Sequence, residues 1–77
     1  MTATNSEIDA AILAVVKPSW RKVALVVGQA TRRLGDFADN TEIHRSVAGR
    51  ISALVSDGRL IAQGDITKWR TSEVRRP

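Results

Sequence analysis

The apolar residues of this chain keep a helical period as far as Val55 and lose it after Asp57-Gly58. Residues three and four apart share a face in a helix, whereas alternate residues share one in a strand. A chain that changes period once divides into a helical part followed by an extended part. The Asp-Gly pair at the change is a turn signal.

Three amphipathic stretches precede the change. Ser6 offers an N-cap, with Glu7 and Asp9 in the first turn, where the helix dipole favours negative charge. Ile8, Ala11, Ile12, Val15 and Val16 then form one face, predicting a first helix over about Ser6–Val16. Lys17-Pro18 ends it, because the residue before proline is driven out of helical geometry. Ser19 offers the next cap, so a second helix is predicted to open near Trp20. Trp20, Val23, Val26, Val27, Ala30 and Leu34 would be buried; Arg21, Lys22, Gln29, Arg32 and Arg33 would face outward. Trp20 would then anchor this helix on the first. Gly28 interrupts it, which suggests close approach by another element, and Gly35 provides a stop. Asp36–Asn40 reads as a connector with Phe37 plugging the core. Asn40 or Thr41 would cap a third helix whose buried face is Ile43, Val47, Ile51, Leu54 and Val55, ending near Ser56.

The final segment reads as a β-hairpin, Arg59–Gly64 against Trp69–Arg75, around a turn at Asp65–Lys68. Leu60 and Ala62 would share one side with Ser72 and Val74; Ile61 and Trp69 would meet on the other. With 77 residues, the chain has room for one domain, placed over residues 6–76 after a flexible start at 1–5. The class expected is α+β, three helices followed by a C-terminal hairpin.

Arg50–Leu60 matches the pattern Arg-Ile-x-x-Leu-x-x-x-Gly-x-Leu, which resembles the third helix and wing start of winged-helix domains. Trp20-Arg21-Lys22-Val23-Ala24, Gly64-Asp65, and Trp69-Arg70 with Ser72-Glu73-Val74-Arg75 extend the likeness. Together they resemble a bacterial family of uncharacterised winged-helix domains that often follow another domain of unknown function. The resemblance implies a winged-helix fold, with the third helix as the usual nucleic-acid reader and the hairpin as wing. It implies no activity.

Little here supports catalysis. The absence of cysteine excludes disulfides and thiolate chemistry and suits a reducing cytoplasm. His44 is the single histidine, too few for a metal site, and reads as a packed residue, with a proton switch as the alternative. The acids are scattered among a first turn, a connector and turns. The glycines have no phosphate-loop spacing, and the serines lack a nucleophile elbow. The longest apolar runs, Ala10–Val16 and Val23–Gly28, are too short to span a bilayer. The expectation is a cytoplasmic, non-enzymatic module with no cofactor, metal, membrane or small-molecule ligand.

Twelve Lys/Arg against eight Asp/Glu give a net charge of +4, which permits nucleic-acid binding. The candidate contacts to duplex DNA are Arg45 and Arg50 on the third helix, with Lys68 and Arg70 at the wing. Arg21, Lys22, Arg32 and Arg33 form a second basic stripe, on the second helix. Trp69 reads as core, or as a residue that stacks on a base or partner. The exposed face of the third helix is small and nearly neutral: Arg45, Ala48 or Gly49, Ser52, Ala53 and Ser56. Base-reading helices usually carry more Arg, Asn, Gln or Lys. That face keeps open a second reading, an accessory module that binds a protein partner or self-associates.

Overall fold

The computed structural model describes residues 4–35 and 41–77. Its elements run α1 (Asn5–Val15), β1 (Arg21–Lys22), α2 (Val23–Arg33), α3 (Thr41–Ser56), β2 (Ile61–Gln63) and β3 (Glu73–Arg75). The three strands form one antiparallel sheet in the order β1-β3-β2. The expected α+β arrangement is present, with a strand that the sequence pattern did not reveal.

The three helices pack on one another around Ile8, Ile12 and Val16, then Val23, Val26, Val27 and Ala30, then Ile43, Val47, Ile51 and Leu54. Leu60 and Val74 close this core from the sheet side. Burying such aliphatic side chains stabilises by about 1.5–3 kcal/mol each. The two buried hydroxyls are satisfied locally: Thr31 donates to the Val27 carbonyl (2.7 Å), and Ser72 donates to that of Lys68 (2.7 Å).

Helix α1 starts earlier than expected. The cap is Thr4, not Ser6. The Glu7 N–H donates to Thr4 Oγ1 (3.2 Å) and the Thr4 N–H to Glu7 Oε1 (3.0 Å), so two otherwise unpaired donors are satisfied reciprocally. Hydrogen bonding from Thr4, led by its backbone N–H, holds the Glu7 carboxyl below its ordinary range.

Helix α2 starts later than expected, at Val23. Ser19 does not cap it, and Lys22 at the N-cap makes no side-chain cap bond. Instead the Val23 and Ala24 N–H groups donate to the carbonyls of Ser72 and Trp69, at 3.0 Å each. A distant loop thus supplies the cap. Trp20 lies outside the helix and is 37% exposed, so it does not anchor α2 on α1. Gly28 has open space where a Cβ would stand, so it does not mark close approach by another element. Phe37 and Asn40 lie outside the described residues.

Helix α3 ends as expected. Gly58 adopts φ +78°, while Arg59 and Leu60 donate their N–H groups to the Leu54 carbonyl at 2.9 and 3.2 Å. A residue with a Cβ is strained in this left-handed conformation, and glycine is not. The reversal drops Leu60 into the core. In the hairpin Ile61 pairs with Arg75, Ala62 with Val74 and Gln63 with Glu73. Leu60, Ser72 and Val74 are buried and Ala62 half-buried, as the alternation predicts. Ile61 does not pair with Trp69, which packs against the core from the 65–72 loop.

Candidate nucleic-acid interface

The eight basic candidates separate into three places. Arg50 is on α3, but its guanidinium is engaged. Its Nε and Nη2 donate to the two carboxylate oxygens of Asp9 at 2.8 and 2.9 Å, tying α3 to α1. The Arg50 side chain is 28% exposed and that of Asp9 16%. The bond from Arg50 holds the Asp9 carboxyl below its ordinary range, and Asp9 in turn raises the arginine. Asp9 is therefore the partner of an arginine on another helix, rather than simply a charge placed for the helix dipole. Arg45 remains exposed on α3, as do Ser46, Gly49 and, three turns on, Ser56. His44 is half-buried among these positions.

Arg32 and Arg33 sit in the last turn of α2, where positive charge complements the exposed carbonyls. Arg21 and Lys22 are not on that helix. They form β1 and pair with Val74 and Glu73 of β3. The expected stripe of four is thus split between opposite ends of α2.

Lys68 and Arg70 instead flank Trp69, whose carbonyl accepts from the Ala24 N–H just after Arg21 and Lys22. The 65–72 loop is tightly wound: Asp65 Oδ1 accepts from the Thr67 hydroxyl (2.6 Å) and N–H (3.0 Å), which holds its carboxyl below the ordinary range. The Lys68 carbonyl accepts from the Thr71 and Ser72 N–H groups at 3.2 and 3.0 Å. Gly64, at φ +79°, lets this loop close: a Cβ there would stand 3.3 Å from Ser72 Cα. The Trp69 and Ser72 carbonyls then dock on the start of α2.

One ladder orders the whole region. The Arg76 N–H donates to the Lys17 carbonyl (2.9 Å), β1 pairs with β3, and Val23 and Ala24 donate to Ser72 and Trp69. Residues 17–24 therefore run antiparallel to 76–69. The ribbon carries Lys17, Arg21, Lys22, Arg70, Arg75 and Arg76 against one acid, Glu73. Gln63 Nε2 donates to Glu73 Oε1 (2.7 Å).

No family model, curated protein or solved structure matches this chain.

Charge along the sequence follows the same division. Residues 16–22 and 57–77, which form the sheet end, hold eight Lys/Arg and three Asp/Glu. The remaining residues hold four and five. The sheet end therefore carries the net positive charge. Its outer face also bears exposed apolar residues: Trp20 at 37% and Ile61 at 36%. The Arg75 guanidinium lies 5.1 Å from the Trp20 ring centroid, a cation–π distance. Arg76 reaches back to donate to the Leu13 carbonyl (2.6 Å), supplying the cation that the last turn of α1 lacks. Arg21 Nε is buried without a hydrogen-bond partner among the described residues.

Sequence reading missed Trp20, Arg75 and Lys17 as parts of one surface. The signal was present in the basic residues around Trp20 and in the basic C-terminus. Only the pairing across about fifty residues joins them. Among the described residues there is no group of three or more His, Cys, Asp or Glu that could hold a metal ion. No helix among them is long and apolar enough to cross a membrane.

Proposed function

We propose that this chain is a winged-helix domain that binds nucleic acid without catalysing a reaction, and that it holds the phosphate backbone with its sheet end. The element order α1-β1-α2-α3-β2-β3, with β1 on the outer edge of the sheet, supports the fold. So does the likeness of Arg50–Leu60 to the winged-helix pattern. The observation that carries the functional reading is the charge division: the ribbon of residues 17–24 and 69–76 has six cations and one acid. A polyanion releases condensed counterions when Lys and Arg replace them, so a concentrated basic surface is a source of affinity. Helix α3 contributes little base reading, because Asp9 engages Arg50 and the exposed neighbours of Arg45 are small. The binding is therefore directed at the backbone rather than at sequence. A cysteine-free chain suits a reducing cytoplasm, where this role is placed.

Fluorescence anisotropy with labelled single-stranded and duplex DNA tests the reading. Binding should weaken on the order of 100-fold between about 50 and 200 mM salt if about four phosphates are neutralised. Flat titrations of both DNAs at the lower salt overturn it.

A specific observation favours the second reading, a protein-binding module. Leu25 is 44% exposed on α2, in a shallow groove with Ala24, Gly28, Gln29 and Arg32. Self-association through this groove would appear as a concentration-dependent mass in sedimentation, removed by Leu25→Gln.

A further inference from the structure

We infer that the outer face of the sheet is a base-stacking platform, and that the nucleic acid it takes is single-stranded. The inference rests on the nucleic-acid reading above and narrows its substrate.

Three side chains make the platform. Ile61 and Arg75 are cross-strand partners, so they project from the same face. Arg75 lies over the Trp20 ring, which places Trp20 on the other side of Arg75 from Ile61. The resulting row, Trp20–Arg75–Ile61, crosses the sheet. Its two apolar members are among the exposed large hydrophobic residues of the chain. The next row of the same face is Lys22–Glu73–Gln63, since Lys22 and Gln63 both pair with Glu73. Lys17 lies beyond the first row, its carbonyl accepting from the Arg76 N–H, while the Arg76 guanidinium itself turns back to the Leu13 carbonyl. An apolar and guanidinium strip is thus bordered by cations.

The chemistry of this row distinguishes the strandedness of its partner. Duplex DNA presents phosphates and groove edges, while its base faces are stacked inside. Against that surface the exposed Trp20 and Ile61 would gain little. A single strand offers base faces and phosphates together. Bases stack on aromatic rings and on arginine guanidinium planes, and nearby cations hold the backbone. Stacking tolerates any base, because each has a π-face. This agrees with an α3 face that has few base-reading side chains. Charge complementarity fits the same partner: the ribbon holds six cations and one acid, and although Arg21 lies on the inner face with Val74 and Arg76 turns back to Leu13, Lys22 and Arg75 stand on the outer face where a linear polyanion would run. The cation–π contact also holds Arg75 in place before the strand arrives, so less side-chain freedom is lost on binding.

The test compares three labelled probes of about 20 nucleotides: oligo-dT, a mixed-sequence duplex, and an abasic strand with the same phosphates and no bases. Oligo-dT should bind about tenfold or more tightly than the abasic strand, the loss expected for one or more stacked bases. It should also bind more tightly than the duplex. Trp20→Ala should weaken oligo-dT about tenfold and leave the duplex within about twofold. The abasic comparison uses the unaltered protein, so it decides the matter even if Trp20→Ala impairs folding. Equal affinity for oligo-dT and the abasic strand overturns the platform while leaving backbone binding in place. Tighter binding of the duplex than of oligo-dT overturns the single-strand assignment. Failure of all three probes to bind overturns the nucleic-acid reading itself.

Discussion

The helical half and the sheet end share one core yet present different surfaces. The helices interlock through aliphatic residues, and their central arginine is paired: Arg50 with Asp9 across α3 and α1. At the sheet end, Lys22 and Arg70 are exposed and Trp20 is partly so. Leu25 on α2 apart, the helical half is closed on itself in packing, and it is nearly balanced in charge. The sheet end carries excess charge and exposed apolar area that its own fold does not use. In a winged-helix reading the third helix is the expected contact surface, but here the surface chemistry favours the opposite end.

Perturbing each half separately can break or sharpen this contrast. The largest effect is expected from Leu54→Ala, which hollows the fully buried helical core. It should cost about 2–5 kcal/mol in urea unfolding. The protein that remains folded should still bind oligo-dT with unchanged affinity. Weaker binding by that folded fraction would show that the helical half does more than support the sheet.

Next comes Gly58, at the seam between the halves. Gly58→Ala forces a Cβ into a left-handed conformation at φ +78° and should cost about 1–2 kcal/mol. A loss within about 0.3 kcal/mol would mean that the α3 exit relaxes freely, and the two halves would then be less firmly joined than the Leu54 bonds imply.

The Asp9–Arg50 pair should have a smaller, pH-dependent effect. Folding lowers the Asp9 pKa, chiefly through the bond from Arg50, from an unfolded value near about 3.9. Between the two values the unfolded chain holds the extra proton, so stability rises with pH. The contribution is fully present above about pH 5 and is lost as pH falls through the folded-state value. Asp9→Asn should flatten this acid limb of chemical unfolding. Glu7 and Asp65, shifted in the same direction, would leave a residual slope. A limb unchanged by the substitution would indicate that the pair adds nothing to the closed helical half.

The smallest change is expected at Gly28, an exposed position within α2 that has room for a methyl group. Gly28→Ala should raise stability by about 0.5–1 kcal/mol through helix propensity. Destabilisation would revive a packing role for that glycine.

The helical half was largely legible in the sequence because its signals are local. The spacing of Ile43, Val47, Ile51 and Leu54 gives the buried face of α3, and Asp57-Gly58 gives its end. The surface of the sheet end was legible only in fragments. Strand β1 is two residues long, too short to display alternation, and Arg21-Lys22 also fits the helical spacing that continues from Val23 to Leu34. What makes it a strand is β3, about fifty residues away. The cap of α2 escaped notice for the same reason, since it consists of backbone carbonyls from a later loop. Arg50 looked available because its partner, Asp9, lies forty-one positions earlier. Local pattern identified the basic residues, whereas tertiary pairing decided which are engaged and which are gathered together.

Neutralising equal charge at the two ends of α2 gives the most direct measurement. Lys22→Gln with Arg70→Gln removes two cations beside the helix start; Arg32→Gln with Arg33→Gln removes two at its end. Oligo-dT affinity should be measured for both double variants at about 50 mM salt, with folding checked by circular dichroism. A loss of about tenfold or more is expected for the first and a change within about twofold for the second. Equal losses, or a larger loss for Arg32→Gln with Arg33→Gln, would contradict the assignment of binding to the sheet end.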